Sequence, residues 1–278
     1  MCHRICFKKT MKNSRPIAFI LASTNHGTML VNRNDSYSHY GVDKGGIGVG
    51  HQILKKSACE PEEINFILTV LDSRRTLYGD GVVALDCGAN IGTHTIEYAQ
   101  HMHGWGEVLG VEAQERVFYA LAGNITINNC FNARAIWAAL GSETGTLKIP
   151  SVDYFKSTSF GSLELKPPKG EGRQGEVIGQ RINYSENLTE VRLMRIDELK
   201  FKRLDFIKID IEGMEIEALK GAENTIEAFK PIMFIETLKS DKSELTEFLT
   251  TKGYKIHDYD NLNILAVHDS DKVTITRQ

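Results

Sequence analysis

The stretch VVALDCGANIGTHTIEYA, residues 82–99, runs from an apolar segment through an acid and two spaced glycines into an amphipathic tail. This order predicts a buried strand, a tight turn and a helix. In a doubly wound α/β sheet, ligands bind at the carboxyl ends of the strands, where such a turn lies. The stretch therefore predicts an α/β fold and, within it, the site of a nucleotide-like cofactor.

The spacing of the glycines narrows the class of cofactor. Gly88 and Gly92 enclose Asn90, so that the middle glycine of a dinucleotide fingerprint is missing. No Gly-Lys-Ser/Thr sequence follows, which excludes a P-loop. The carboxylate of Asp86 would repel a pyrophosphate, but it suits the ammonium and sulfonium groups of S-adenosylmethionine. These four residues are therefore predicted to bind that methyl donor.

Further candidate cofactor residues follow the neighbouring elements. Glu112 ends the next predicted strand, where a carboxylate can accept hydrogen bonds from both ribose hydroxyls. Proteins that bind NAD also place an acid there, so Glu112 alone does not decide the cofactor. An adenine ring needs an apolar slot, for which Trp137 and Ala138 are candidates, although Trp137 suits a packed core equally well. Thr93, Glu112 and Ala113 complete the predicted cofactor site.

Apolar strands alternate with helices from about residue 80 onward. The predicted strands are 81–86, 106–112, 133–140, 204–211, 231–237, 254–257 and 264–268. The predicted helices are 93–102, 115–129, 212–229 and 242–252. Near-continuous apolar strands between helices are typical of a mostly parallel sheet that helices cover on both faces.

Two segments depart from this alternation. Residues 1–55 are polar and glycine-rich and are predicted to form an N-terminal arm or lid segment ahead of a domain at 56–278. Residues 153–190 are predicted to be a long insertion between the third and fourth strands, on the substrate side. GGIGVG at 45–50 is interpreted as a hinge, because we expect no strand before it and no helix after it. IAFILA at 17–22 predicts a first strand in preference to a signal peptide.

The bulk composition excludes some partners. The 278 residues carry a formal charge of −3, which gives no electrostatic reason to expect a nucleic acid. Five cysteines without a C-x-x-C pair fit a reducing compartment, and no apolar run is long enough to span a bilayer. We therefore expect a cytoplasmic protein. Cys2, His3 and Cys6 form at most half a metal site, and no resident metal is expected.

The chain resembles the FkbM family of S-adenosylmethionine-dependent methyltransferases. The resemblance is carried by LDCGANIGTHT (85–95), GVEAQ (110–114), FIKIDIEGMEIEALKGAENTI (206–226) and KPIMFIE (230–236), and it extends over about residues 27–259. It implies a Rossmann-like, seven-stranded class I methyltransferase sheet, mostly parallel, whose last strand is antiparallel. It also implies that Asp86, Gly88, Asn90, Gly92 and Glu112 hold the cofactor. The family's usual proline after the glutamate is Ala113 here.

A second group of polar residues is predicted to be the reaction centre. Asp210 and Glu212 lie at the carboxyl end of the fourth strand, Glu236 ends the fifth, and His94 lies in the first turn of a helix. Either acid of the first pair could remove a proton from the methyl acceptor or bind its hydroxyls. Acids so placed could also bind Mg²⁺, which we do not expect. His94 fits a catalytic role and a packed, satisfied side chain equally well.

The acceptor is predicted less directly. Asn34, Asp35, Tyr154 and Phe160 are the candidate acceptor contacts, from the arm and the insertion. Members of the family commonly modify oxygens, so the resemblance implies O-methylation of a hydroxyl on a glycan or natural-product-like small molecule. A protein side-chain amide N-methyltransferase and a non-catalytic S-adenosylmethionine-binding module are the alternatives. The arm could also pack on a second copy of the chain.

Overall fold

A computed structural model describes residues 16–37, 46–167, 176–177 and 179–275 of the protein. The strands are β1 (Phe19–Thr24), β2 (Gly27–Asn32), β3 (Val82–Cys87), β4 (Gly106–Glu112), β5 (Ala133–Trp137), β6 (Ala139–Leu140), β7 (Gly145–Pro150), β8 (Glu176–Val177), β9 (Gln180–Arg181), β10 (Leu188–Met194), β11 (Phe206–Ile209), β12 (Ile232–Glu236), β13 (Tyr254–Asp258) and β14 (Asn263–His268). The helices are α1 (Val49–Lys56), α2 (Pro61–Tyr78), α3 (Thr93–His101), α4 (Glu115–Ile127), α5 (Glu215–Lys220), α6 (Glu223–Phe229) and α7 (Lys242–Thr251). Cys2, His3 and Cys6 lie outside the described residues.

Seven strands form the central sheet, in the order β13-β14-β12-β11-β3-β4-β5. The five strands from β12 to β5 are parallel to one another, whereas β14 runs antiparallel to both of its neighbours. This confirms the predicted α/β class and the mostly parallel sheet with an antiparallel last strand. The carboxyl ends of β3, β4, β11 and β12 therefore meet at one edge.

The strands of this sheet are apolar because both faces are covered. Val82 and Ala84 of β3 belong to a core cluster on one face, and Leu85 and Cys87 belong to a cluster on the other. Neighbouring β11 divides in the same way, with Phe206 on the first face. Each large apolar side chain that is fully buried here contributes about 1.5–3 kcal/mol to stability. The central sheet is thus stabilised by apolar packing on both of its faces.

Two predicted elements are interrupted. The predicted strand at 133–140 divides into β5 and β6, because β6 leaves the central sheet and pairs with β10. The predicted helix at 212–229 starts later and divides into α5 and α6 around Gly221. A Cβ atom on Gly221 would lie 2.0 Å from the carbonyl oxygen of Gly141, so the chain needs a glycine at this close approach.

The 18-residue helix α2 was not predicted from the sequence. Its inward face carries aliphatic residues and the buried Arg74. The Arg74 guanidinium forms ion pairs with Asp205, at 3.5 Å, and with Asp271. Both acids lie far from α2 in the chain, so this charged packing has no local signal in the sequence.

The described part of the N-terminal segment contains a hairpin of β1 and β2, which confirms the predicted first strand. Asn124 of α4 and Asn128, which directly follows α4, hold the outer edge of β2. Asn128 exchanges two hydrogen bonds with the backbone of Thr28, at 3.0 and 2.8 Å, and Asn124 exchanges two with Leu30, at 2.5 and 3.3 Å. The prediction that no helix follows the glycine-rich segment is wrong, because α1 begins directly after Gly48.

The chain between β5 and β11 builds a second, three-stranded sheet in the order β6-β10-β7. The strand β10 pairs antiparallel with β7 and parallel with β6. A short 3₁₀ turn, Phe160–Ser162, lies within this region and approaches the N-terminal segment. Across the described ranges, no helix combines the length and the apolar character that crossing a membrane requires.

Candidate active site

A cavity of about 380 Å³ lies at the carboxyl ends of the central strands. Its floor is formed by the turns after β3, β4, β11 and β12. Its walls are formed by residues 47–49 at the start of α1, by the segment after β12, and by five residues of the region between β7 and β10: Ser159, Gly161, Ser162, Leu163 and Leu165. The fold thus places the N-terminal segment and the insertion around the edge where parallel α/β sheets bind ligands.

The turn after β3 depends on two glycines with positive φ. Gly88 has a φ of +81°, and a Cβ atom there would lie 1.8 Å from the carbonyl oxygen of Asp210. Gly92 has a φ of +93°, and its Cβ would lie 2.6 Å from Leu121 of α4. These glycines therefore permit the close approach of protein segments, and Gly88 allows the backbone of Asp210 to lie against the turn after β3.

The carboxylate of Glu112, the last residue of β4, joins two turns at the cavity wall. Its Oε2 atom accepts a hydrogen bond from the backbone N–H of Asn90 at 3.0 Å, and Oε1 accepts one from Gln114 at 2.7 Å. Burial raises the pKa of Glu112 to about 7, although these N–H groups oppose the shift. A buried carboxylate held in this way can bind the neighbouring hydroxyls of a ribose.

Asp86 is separated from the cavity. The residue lies within β3 and is 1 % exposed, and its Oδ2 atom accepts a 2.6 Å hydrogen bond from Oγ1 of Thr95. The carboxylate thus lies behind the turn, and its direct contact with a bound cofactor stays a prediction. Its side chain ties β3 to α3 and so supports the turn between them.

Trp137 also packs away from the cavity. Its ring stacks on Phe118 of α4, with centroids 6.4 Å apart, and Nε1 donates a 2.9 Å hydrogen bond to the carbonyl oxygen of Ala113. Of the two interpretations of Trp137, the structure agrees with packing. Six predicted cofactor residues line the cavity: Gly88, Asn90, Thr93, Glu112, Ala113 and Ala138.

Three predicted reaction-centre acids come together. Asp210 follows β11, Glu212 lies in the next turn with a φ of +56°, and Glu236 ends β12. One oxygen atom from each carboxylate lies within 4.8 Å of the others. Since β11 and β12 are adjacent and parallel, the convergence follows from the sheet topology.

Two lysines that the site prediction omitted pair with this cluster. Nζ of Lys208 donates a 2.9 Å hydrogen bond to Asp210, and Nζ of Lys239 lies 2.7 Å from Glu212. Burial alone would lower the pKa of Lys208, but the surrounding acids raise it well above its ordinary value, Asp210 most of all. Lys239 also donates a 2.6 Å hydrogen bond to the carbonyl oxygen of Ser162, which links the cluster to the insertion.

The two remaining carboxyl groups of the cluster retain protons more readily than ordinary glutamates. Burial, and then the charge of Asp210, raises the pKa of Glu212 to about 7, while Lys239 opposes the shift. Burial, Asp210 and Glu212 together raise the pKa of Glu236 to about 9. At neutral pH Glu236 therefore carries a proton and can donate a hydrogen bond.

His94 lines the cavity from the first turn of α3. Its Nε2 atom lies 2.9 Å from a carboxylate oxygen of Glu63 and 3.9 Å from one of Glu60. Burial raises the pKa of Glu63, but His94 and Lys208 outweigh it and lower the pKa overall. The imidazole is therefore both paired and placed at the cavity. Glu60 and Glu63 escaped prediction because their segment, at the start of α2, was not recognised.

The candidate acceptor contacts Asn34, Asp35, Tyr154 and Phe160 do not line the cavity. Asp35 is buried and accepts hydrogen bonds from the N–H groups of Gly50, at 2.8 Å, and Phe160, at 3.0 Å. Burial raises its pKa to about 6, and these bonds oppose the shift. Asn34 donates to the carbonyl oxygen of Tyr154, whose ring packs on Phe160. All four residues join the N-terminal segment to the insertion and lie outside the cavity lining, and their role as acceptor contacts stays a prediction.

Within the described residues, two groups of side chains have the spacing to hold a metal ion. One is Asp210, Glu212 and Glu236, and the other is Glu60, Glu63 and His94. In both groups lysine ammonium groups already balance part of the negative charge: Lys239 beside Glu212, and Lys208 beside the acids of α2. That the protein has no resident metal stays a prediction.

The seven-stranded sheet with its antiparallel last strand and the cavity at the strand ends is the architecture of class I methyltransferases. A family model described as the methyltransferase FkbM domain matches residues 86–256. Because this range is more than half of the chain, the protein belongs to the FkbM methyltransferase family. The family resemblance seen in the sequence is thereby confirmed.

Individual relatives are distant. The chain is 23 % identical to methyltransferase sdnD of Sordaria araneosa over 194 residues, 62 % of this chain and 73 % of that protein. It is 21 % identical to methyltransferase 1 of Beauveria bassiana (strain ARSEF 2860) over 191 residues, 64 % of this chain and 74 % of that protein. Among solved structures, the FkbM methyltransferase of Methylobacillus flagellatus KT is 22 % identical with a TM-score of 0.47. That match covers 76 % of this chain and 51 %, about half, of the other.

Proposed function

We propose that the chain is an S-adenosylmethionine-dependent methyltransferase that methylates a hydroxyl oxygen on a glycan or natural-product-like small molecule. One observation carries the proposal. A single cavity contains, on one side, the Glu112 carboxylate between two turns and, on the other, the cluster of Asp210, Glu212 and Glu236. The first side suits the nucleoside of a methyl donor, and the second suits an acceptor that must lose a proton.

The residues on the donor side fit an adenosine-type ligand. Glu112 is held by backbone N–H groups with its carboxylate at the cavity wall, where it would accept hydrogen bonds from the ribose. Ala138 and its neighbours up to Leu140 present an apolar slot for the adenine. S-adenosylmethionine, when bound, would supply an electrophilic methyl group carried by a sulfonium.

On the acceptor side, the carboxyl groups would have different roles. Asp210, paired with Lys208, would accept the proton of the acceptor hydroxyl, so that the oxygen lone pair forms the new bond to the methyl carbon. The bond between that carbon and the sulfonium sulfur would break at the same time, with its electron pair on sulfur, and S-adenosylhomocysteine would leave. A base placed in this way contributes ~10²–10⁴-fold to the rate. Glu236, protonated at neutral pH, would donate a hydrogen bond to a second acceptor oxygen. His94 and its partner Glu63 would orient the acceptor from the opposite side.

The proposal retains the division of the chain into an arm at 1–55 and a methyltransferase domain at 56–278, with the substrate-side insertion at 153–190. In this division the arm and the insertion would form the walls of the acceptor side. Residues 47–49 of the arm and its boundary, and Ser159, Gly161–Leu163 and Leu165 of the insertion, lie in the lining and support this division.

Calorimetry with S-adenosylhomocysteine and with NAD tests the donor assignment. We expect S-adenosylhomocysteine to bind and to raise the melting temperature, since a ligand of the native state stabilises it by mass action. Binding of NAD without S-adenosylhomocysteine would refute the assignment. Transfer of labelled methyl groups, tested on a small-molecule fraction and on a protein fraction of a cell extract, tests the acceptor. Label in protein alone would favour the amide N-methyltransferase.

A further inference from the structure

The lining of the cavity includes three large aliphatic side chains that stay exposed to solvent. Ile47 is 48 % exposed, Leu238 is 59 % exposed and Leu262 is 42 % exposed. They come from three separate segments: the stretch before α1, the loop after β12 and the turn before β14. Exposed aliphatic groups that border a cavity with convergent polar groups mark a surface for an apolar part of a ligand.

Two of these side chains flank the carboxylate cluster. Leu238 lies two residues after Glu236, and the N–H of Thr237 donates a 2.7 Å hydrogen bond to the carbonyl oxygen of Leu262. Asn263, next to Leu262, is the pairing partner of Glu236 in the sheet. The leucines therefore lie on the acceptor side of the cavity, away from Glu112.

The apolar surface continues inward and across the opening. Leu163 and Leu165 of the insertion are buried and line the same cavity. Ile47 is held in place by two backbone hydrogen bonds with Tyr37, at 2.9 and 2.8 Å. A free sugar would satisfy the carboxylates but would leave these aliphatic groups in water.

We propose that the acceptor is amphiphilic: its hydroxyl group lies at the carboxylate cluster, and an aliphatic portion covers Ile47, Leu238 and Leu262. The inference rests on the proposed methyltransferase function and narrows its substrate class. It favours a hydroxylated molecule with an apolar skeleton or an apolar substituent over an unsubstituted saccharide.

A series of alkyl β-D-glucosides tests the inference, since the head group stays constant while the tail grows. Protein saturated with S-adenosylhomocysteine is titrated calorimetrically with methyl, butyl, hexyl and octyl glucoside, all below the concentration at which micelles form. We expect octyl glucoside to bind at least about tenfold more tightly than methyl glucoside, because each buried CH₂ group adds favourable transfer free energy.

Single substitutions test where the alkyl tail binds. Leu238→Asn and Leu262→Asn should each reduce the octyl-to-methyl affinity ratio several-fold. Phe131→Asn is the matched control, because Phe131 is 91 % exposed and is not part of the lining of the cavity. The affinity of each variant for S-adenosylhomocysteine reports that the variant is folded.

The outcomes separate this inference from the function on which it rests. If the wild-type protein does not bind S-adenosylhomocysteine, the proposed function fails. If S-adenosylhomocysteine binds but octyl glucoside binds no better than methyl glucoside, or does not bind, only the amphiphilic acceptor is refuted. If Phe131→Asn reduces the octyl-to-methyl affinity ratio as much as Leu238→Asn does, the inference is also refuted, because the binding surface would then lie elsewhere.

Discussion

Nζ of Lys208 donates a 2.9 Å hydrogen bond to Oδ2 of Asp210, two residues further along the chain. The ammonium is buried, while the carboxylate is 32 % exposed at the cavity. Lys208 lies in β11 and Asp210 directly follows that strand. Because residues two apart on an extended chain lie on the same face, this spacing favours the pair. The lysine also balances the charge of Glu63, Asp86 and Glu60, whose fields all act on it.

Replacing this lysine should destabilise the fold. Lys208→Met keeps most of the side-chain length but leaves the surrounding carboxylates without their cation. We expect the free energy of unfolding, measured by urea denaturation, to fall by about 3 kcal/mol, near the lower end for buried pairs because Asp210 is partly exposed. Lys148→Met, at an exposed ion pair on β7, is the control and should change little. A loss for Lys208→Met no larger than the control's would contradict the assigned role.

Two glycines with nearly equal φ offer a comparison: Gly88 in the turn after β3, and Gly104 between α3 and β4. Gly88 has a φ of +81° and Gly104 a φ of +82°, but only Gly88 has a neighbouring atom within reach of a Cβ. Gly104→Ala should cost about 1 kcal/mol of unfolding free energy from the backbone conformation alone. Gly88→Ala should cost at least about 2 kcal/mol more, because the methyl group overlaps the Asp210 carbonyl. The comparison is made by urea denaturation. Equal losses of unfolding free energy in the two variants would mean that the turn with Gly88 can move away from Asp210 without cost.

The carboxylate of Glu112 should dominate binding of the methyl donor's nucleoside. Glu112→Gln keeps the size of the side chain but removes the charge and one acceptor oxygen. We expect the affinity for S-adenosylhomocysteine to fall roughly tenfold to a hundredfold, as for the loss of a hydrogen bond to a charged group. Glu107→Gln, on an exposed side chain of the same strand, should bind as the wild type does. Unchanged affinity in Glu112→Gln would remove this residue from the site.

The raised pKa of Glu236 predicts a specific pH dependence of stability. The group has an ordinary value of 4.5 and a value of about 9 in the folded protein. Between these values the folded state binds more protons than the unfolded state, so the contribution of Glu236 to stability falls as the pH rises. Urea denaturation at several values from pH 5 to pH 9 should therefore show a shallower decline in Glu236→Gln than in the wild type. Glu190→Gln, on an exposed side chain, should retain the wild-type slope.

The acids of the site could be predicted where a strand end determines their position. Glu112, Asp210 and Glu236 each end or follow a parallel strand, and the sheet order brings them to one edge. Asp86 does not end its strand, because β3 continues for one more residue, through Cys87. Its carboxylate is therefore buried between the sheet and α3. A motif alone does not distinguish these two positions.

Long-range packing accounts for the contacts and elements that the sequence did not predict. Asp35 binds the N–H of Phe160, 125 residues away, and no local pattern in the sequence signals such a contact. The helix α2 was missed, and with it Glu63, the partner of His94. The lysines of the cluster act through charges from α2, β3 and the insertion, so their roles depend on the assembled fold.

The amide pairs between α4 and β2 determine how far the hairpin can move. Four residues of a helix rise about 6 Å, and two residues of a strand advance about 6.8 Å, so Asn124 and Asn128 match Leu30 and Thr28 without distortion. A shift of the hairpin by one residue would present the alternate backbone groups and break all four bonds at once. The four hydrogen bonds therefore fix a single register of the hairpin against the helix. The position of β2 beside α4 is thus set by two asparagine side chains outside the cavity lining.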